Sequence, residues 1–234
     1  MSPHWSFIRH PPLCPAENMA WDEALLESAA TRPHPLLRFY GWSEPAATFG
    51  YFQRILDVEP MTPLRPLLRR PTGGGLVPHD ADWTYSVTLP PADPWYSCRA
   101  IESYRRIHHW IRLAFARLEI PTELSPVRRP EAPGRCFIGA EQFDLLFNGT
   151  KIAGAAQRRT RHGLLIQGSI QPPSGIERPR FESAMFDVAG RLDGEVPHDE
   201  GVTWAEFKPD AMLAGRVAEL ATTKYSRDEF NRRR

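Results

Sequence analysis

The sequence predicts an α/β protein whose strands form a mixed, largely antiparallel sheet flanked by helices. Three observations carry this. Short β-branched and aromatic runs recur between turn residues, as in 36–42 (LLRFYGW), 84–87 (TYSV) and 163–170 (GLLIQGSI). Asn148-Gly149 separates two such runs and is a strong hairpin signal, so neighbouring strands are joined antiparallel. Over 97–118 the apolar positions Ile101, Tyr104, Ile107, Ile111, Phe115 and Leu118 recur at spacings of three and four, the pattern of an amphipathic helix.

In chain order, a Pro-rich start precedes residues 16–30 (AENMAWDEALLESAA), which have helical composition. Asn18 is placed to cap that helix, and Met19, Leu25, Leu26 and Ala29 give it an apolar face. LLRFYGW reads as a strand ending at Gly41, then a Ser-Glu-Pro turn and a short strand within AATFGYF. Residues 53–65 read as irregular. The stretch 67–89, LLRRPTGGGLVPHDADWTYSVTL, reads as strand, glycine loop, strand. Gly73, Gly74 and Gly75 let backbone approach something flat or anionic, with Arg69 and Arg70 at the entrance.

Pro90-Pro91 end that strand. In the amphipathic helix, adjacent His108 and His109 point in different directions and read as surface or boundary residues. Residues 121–134 form a charged, Pro-rich linker. Strands follow at 136–138 (CFI), 143–147, 151–157 and 163–170. The tail 209–225 reads as helical and the final NRRR as frayed. No repeat, low-complexity tract or boundary interrupts the chain, which reads as a single domain over 1–234 with its core at about 16–225.

At 234 residues the chain is long enough for one large domain, and 41% hydrophobic with 24% charged residues is ordinary for a soluble protein. A net charge of +1 argues against nucleic acid as a bulk electrostatic partner. No apolar run approaches the roughly 20 residues of a membrane span, and the start lacks the apolar core of a signal peptide, so a cytoplasmic location is expected. Cys14, Cys98 and Cys136 are far apart and form no CxxC pair, which excludes a zinc ribbon or a disulfide framework. The basic residues are almost all arginine; the lysines are Lys151, Lys208 and Lys224.

Several reaction signatures are absent. The triple glycine is followed by Leu-Val-Pro rather than Lys-Ser/Thr, and there is no GxGxxG, GxSxG or HExxH. Two polar clusters between strands remain. One is 69–82. The other is NGTKIAGAAQRR, 148–159, where Lys151 near a hairpin tip precedes the small residues Gly154, Ala155 and Ala156. Small side chains leave space, and a lysine beside that space offers a point charge to a phosphate or a developing oxyanion. Taken alone, the same residues also describe a solvated hairpin lysine before a tightly packed strand.

Together the clusters resemble one family. RRPTGGGLVPHDADWTYSV is similar to the RRxTGGGxVxHxxxxTYS signature of the lipoate/biotin protein ligase catalytic-domain superfamily. NGTKIAGAAQRR with LLIQGSI is similar to its second signature, KxxGxAQ followed by a His/Gln-Gly-Thr/Ser-Ile strand; NMAWDEALL and FYGWSEPAATFGYFQ fit its N-terminal pattern. The resemblance covers about 16–170 and implies that superfamily's α/β fold on a largely antiparallel sheet. The biotin branch is least similar, since its GRGRxG loop is missing.

Of the other branches, one type of octanoyltransferase carries its acyl-accepting cysteine in a short CF strand before KxxGxAQ. RCFIGAEQFDLLFNGTKIAGAAQ resembles that arrangement, with Cys136 fifteen positions before Lys151. The resemblance thus implies catalytic roles for Cys136 as nucleophile and Lys151 as polarising cation. It implies substrate-binding roles for Arg69, Arg70, Thr72, Gly73, Gly74, Gly75, His79, Gly154, Ala155 and Gln157, and no metal site. The implied reaction moves octanoyl from acyl carrier protein to the lysine of a lipoyl domain, in a 2-oxoacid dehydrogenase E2 component or the glycine-cleavage H protein, without a cofactor. Gly75 departs from this type, whose members often have arginine there, and matches the ATP- and Mg-dependent lipoate-protein ligases. Those ligases commonly need a further domain or subunit, for which the roughly sixty residues after the last motif are too few. A ligase acting through lipoyl-adenylate, and a non-catalytic acyl or lipoyl-domain binder, stay as alternatives.

Overall fold

The computed structural model describes residues 4–127, 139–191 and 201–233, so Cys136 and the expected strand 136–138 lie outside the described residues. The described strands are β1 (His4–Leu13), β2 (Leu36–Trp42), β3 (Ala46–Phe49), β4 (Leu67–Arg69), β5 (Val77–His79), β6 (Trp83–Leu89), β7 (Glu123–Leu124), β8 (Leu145–Phe147), β9 (Thr150–Thr160), β10 (Gly163–Ile170) and β11 (Thr203–Glu206). The helices are α1 (Pro15–Glu27), α2 (Ile55–Val58), α3 (Pro94–Ser97), α4 (Ala100–Arg117), α5 (Arg178–Asp187), α6 (Ala211–Leu220) and α7 (Asp228–Asn231).

The large sheet runs β11-β1-β2-β6-β10-β9-β8-β7, and a small sheet runs β4-β3-β5. Pairing is antiparallel from β2 to β7, and parallel for β1 with β2 and with β11. This is the mixed, mostly antiparallel sheet that the sequence predicts. Asn148 and Gly149 both take positive φ, 50° and 77°, and fold β8 tightly onto β9. Strand β1 was not legible as a strand. Its register with β2 shifts between Arg9 and Pro12, where two prolines withhold their N–H groups from the ladder.

Helices cover both faces of the large sheet. On one, Trp110, Ile111 and Phe115 of α4 and Phe181 and Met185 of α5 pack on Phe39, Val87 and Ile166. On the other, Met19 and Leu25 of α1 and Val217 and Leu220 of α6 pack with Ile8 and Leu36. Leu36 and Leu37 thus enter opposite layers, as strand alternation requires.

Three local expectations are corrected. Asn18 does not cap α1; Cys14 holds that position, and Asn18 is buried inside the helix, donating to the Gly41 carbonyl at 2.8 Å. His108 is no boundary residue but is fully buried, where desolvation lowers its pKa from 6.5 to about 4. The last residues described are not frayed. The Arg69 guanidinium donates to the Phe230, Asn231 and Arg233 carbonyls and so ties α7 to β4.

Candidate active site

A pocket with about 470 Å³ of empty space, the solvent at its mouth included, opens between the two sheets, on the α1 face of the large one. Tyr40 and Trp42 of β2, Thr84 of β6, Gln167 and Ser169 of β10, and Met19 of α1 form one side. Thr48, Val77 and His79 of the small sheet, with Arg70 just after β4, form the other. Lys151, Gly154, Ala155 and Ala156 of β9 complete the rim.

A bulge in β9 brings Lys151 to this pocket. Leu145 pairs with Ala153 but Leu146 with Lys151, so Ile152 is an extra residue on the β9 side. Ile152 and Ala153 both enter the α4-side core, which leaves Lys151 and Gly154 on the opposite face. The lysine stem lies across Gly154: a Cβ there would sit 2.8 Å from Cε and 2.9 Å from Nζ. Lys151 Nζ meets Asp144 Oδ2 at 2.7 Å, and both side chains are almost wholly buried. The backbone N–H of Glu141 also donates to Oδ2, at 2.6 Å, and the Tyr104 hydroxyl donates to Oδ1.

The glycine loop is held by its neighbours. Gly50 makes room for it, since a Cβ on Gly50 would lie 1.9 Å from the Gly74 carbonyl oxygen. Thr72 donates to Gln167 Oε1 at 2.7 Å, and Gln167 Nε2 donates to Asp22 Oδ2 at 2.7 Å, so a buried chain runs from the loop through β10 to α1. Arg70 donates to the Thr48 carbonyl at 3.2 Å and to that of Gly73, closing the loop on β3. His79 stacks on Trp42 at 4.0 Å, and its Nδ1 lies 2.9 Å from Asp82 Oδ2. Burial pushes the Asp82 carboxyl up, but His79 and the hydrogen bonds from His79, Ser169 and Thr84 outweigh it and hold the group below its usual range. The ionised carboxylate only accepts, so Nδ1 of His79 carries its proton.

Of the residues expected to bind substrate, Arg70, His79, Gly154 and Ala155 line the pocket, as does Lys151. Thr72 is buried behind it, and Gly73, Gly74 and Gly75 are not among the lining residues. Two expectations are corrected. Arg69 points away, its donors consumed by carbonyls of Tyr51, Gln53 and the C-terminal residues. Gln157 lies on the α4 face of β9, accepting from Ser103 at 2.9 Å and donating to the Ala100 carbonyl at 2.7 Å. Gln167 takes the pocket position instead. Sequence reasoning also passed over Asp22, Asp82 and Asp144. The available signal was a carboxylate inside an apolar run, an Asp-Glu pair in MAWDEALL and a single Asp in QFDLLF, because an acid is seldom buried unpaired. Among the described residues, no group of three or more His, Cys, Asp or Glu could hold a metal. Nor is any described helix long and apolar enough to cross a membrane.

A mixed sheet carrying a glycine loop opposite a buried lysine defines a class of protein rather than a generic α/β fold. Residues 14–172 match the lipoyl protein ligase A/B catalytic domain, and the chain belongs to that family of acyltransferases and ligases. Relatives named octanoyltransferase LipM include that of Exiguobacterium sp., 38% identical, covering 84% of this chain and 75% of that one. The protein of the same name from Symbiobacterium thermophilum is 35% identical, covering 88% and 83%. Solved structures of similar fold include lipoate-protein ligase A bound with ATP, at TM-score 0.75 and 20% identity, covering 99% of each chain. A bi-partite lipoate protein ligase from Thermoplasma acidophilum gives TM-score 0.71 at 20% identity, covering 99% of this chain and 96% of that one. The fold is therefore that of the lipoate ligase catalytic domain.

Proposed function

We propose that the chain is an octanoyltransferase of the lipoate pathway, a single cytoplasmic catalytic domain that moves octanoyl from acyl carrier protein to the lysine of a lipoyl domain. The observation that carries the reading is Lys151, bent over Gly154 and held by Asp144 at the rim of a pocket lined by Met19, Trp42 and Val77. The apolar side chains suit an acyl tail, and the ammonium suits the oxyanion of a tetrahedral intermediate at the acyl carbonyl.

In the first step the Cys136 thiolate attacks the carrier's thioester. A new sulfur–acyl bond forms, and the carrier thiol leaves, taking up a proton. In the second step the acceptor lysine, as free amine, attacks the acyl-enzyme. The amide forms, the amine loses its proton, and Cys136 is released as thiolate. Neither step consumes ATP. Arg70 and His79 shape the pocket; Thr72, through Gln167, fixes the loop that closes it.

The test is intact-protein mass after mixing the chain with octanoyl-carrier protein, without ATP. A hydroxylamine-labile octanoyl adduct is expected, absent in Cys136→Ala, with transfer in Lys151→Ala reduced at least about 100-fold. No adduct, but lipoylation of an apo-lipoyl domain once ATP, Mg²⁺ and lipoate are supplied, would replace the transferase reading with the ligase one.

A further inference from the structure

Lys151 reaches its place by a route that starts in another layer of the fold. Its stem is confined on one side by Gly154 and its ammonium is fixed by Asp144. Asp144 sits in the segment before β8, where its N–H donates to the Glu141 carbonyl at 3.1 Å and its carbonyl accepts from Ser125 N–H at 2.8 Å. These bonds place the backbone. The carboxylate plane is set by what its two oxygens accept: Oδ2 takes Lys151 and the Glu141 N–H, and Oδ1 takes the hydroxyl of Tyr104. Tyr104 comes from α4, across the sheet edge, and its ring rests on that of His108 at 4.3 Å. His108 Nδ1 lies 3.0 Å from the Tyr104 carbonyl, so both residues are locked within one helical turn.

We propose that Tyr104 is a positioning residue: its hydroxyl orients Asp144, and Asp144 in turn aims the Lys151 ammonium at the reacting carbonyl. The catalytic half of this statement rests on the octanoyltransferase reading; the Tyr104–Asp144–Lys151 linkage does not. A carboxylate bound by Lys151 and one backbone N–H alone could turn about its Cβ–Cγ bond. A phenol at Oδ1 removes that freedom at the cost of two stiff side-chain torsions. The ammonium then approaches from a fixed direction, which a developing oxyanion rewards and a ground-state thioester does not. Two further titratable groups feel the Asp144 charge. His108 and Tyr85 are both fully buried and held neutral at physiological pH, so among the described residues the cation paired with Asp144 is Lys151.

The chain has three lysines, Lys151, Lys208 and Lys224, so trace acylation read by peptide mass reports each amine separately. In Tyr104→Phe the pH midpoint of Lys151 labelling moves by at least about half a unit, while those of Lys208 and Lys224 stay put. The kcat of octanoyl transfer falls about tenfold with the acceptor KM held within about twofold. The double variant Tyr104→Phe/Asp144→Asn is no slower than Asp144→Asn alone, because Tyr104 acts through that carboxylate. An unmoved Lys151 midpoint overturns the proposal, even if the rate falls. So does a double variant that loses the product of the two single effects. Should Tyr104→Phe not fold, Tyr104→4-aminophenylalanine keeps the ring with a weaker N–H donor that stays neutral through the lysine range, and the same midpoint decides. Absence of octanoyl transfer in the unmodified chain would sink the functional reading while leaving the labelling result to judge the linkage.

Discussion

Of the three buried carboxylates that serve the pocket among the described residues, Asp22 from α1 and Asp144 from the segment before β8 each face a buried Arg or Lys. Asp22 accepts from Arg38 at 2.7 Å, Ser86 at 2.6 Å, Tyr40 at 3.0 Å and Gln167 at 2.7 Å. Arg38 spends its other donors on Asn18 and on His10 Nδ1, and neither charge reaches the surface. Asp144 accepts from Tyr104, from one backbone N–H and from Lys151, whose ammonium stands at the pocket rim. A guanidinium is a rigid fork that can be saturated and sealed in; an ammonium on a long stem can be held at one face and presented at another. The same acid therefore builds scaffold in one place and aims a charge in the other.

If Asp22 is scaffold, its loss is felt in stability before anything else. Asp22→Ala strands the Arg38 guanidinium in the interior and removes the acceptor of three other buried donors. The expected cost is about 3–5 kcal/mol, read from equilibrium urea unfolding. A loss below about 1 kcal/mol would mean that Arg38 finds another partner, and the contrast with Asp144 would collapse.

The sequence made the sheet, the amphipathic helix α4 and the hairpin at Asn148-Gly149 legible because each rests on local periodicity or turn chemistry. It also singled out Lys151 and the small residues beside it. What it could not show was which way each side chain faces. Lys151 and Gln157 are six residues apart and would share a face in a regular strand; the bulge at Ile152 sends one to the pocket and the other to α4. Arg69 and Arg70 are adjacent and alternate in the same way, one toward the C-terminal residues and one toward the pocket. Helix α1 hid its polar anchors for a different reason. It is buried on nearly all sides, so no polar stripe marks Asn18 and Asp22 as special. Long-range partners such as Tyr104 for Asp144, forty residues apart in the chain, leave no local trace at all.

His108 supplies a smaller, pH-dependent version of the comparison, a buried base that the fold keeps neutral. Burial lowers its pKa from 6.5 to about 4, so between these values the unfolded chain takes up a proton that the folded one refuses. Stability is then full above about pH 6.5 and declines as pH falls toward about 4, by about 3 kcal/mol if nothing relaxes. His10, lowered to about 4 by burial and by Arg38, adds to the same slope, but it is half-buried and its share is smaller. In His108→Phe, which keeps a ring against Tyr104, most of the difference between urea unfolding at pH 7 and at pH 4.5 should vanish. An unchanged difference would assign the slope elsewhere.

The smallest effect belongs to an acid with a large shift and little burial. Glu102, in the first turn of α4, is pulled down from 4.5 to about 2, chiefly by its hydrogen bond from Arg105 and then by Arg106. Read as a linkage, that depression would add stability above about pH 4.5, lost as pH falls toward about 2. Yet the Glu102 and Arg105 side chains are 33% and 40% exposed, so water and salt screen the pair and both partners give up rotamer freedom to make it. Glu102→Gln is therefore expected to cost under about 1 kcal/mol at low salt and almost nothing in 1 M NaCl. A salt-insensitive loss as large as that of Asp22→Ala would show that the size of a pKa shift ranks these acids. Burial ranks them if the loss is small: a carboxylate matters to this fold to the extent that water cannot replace its partner.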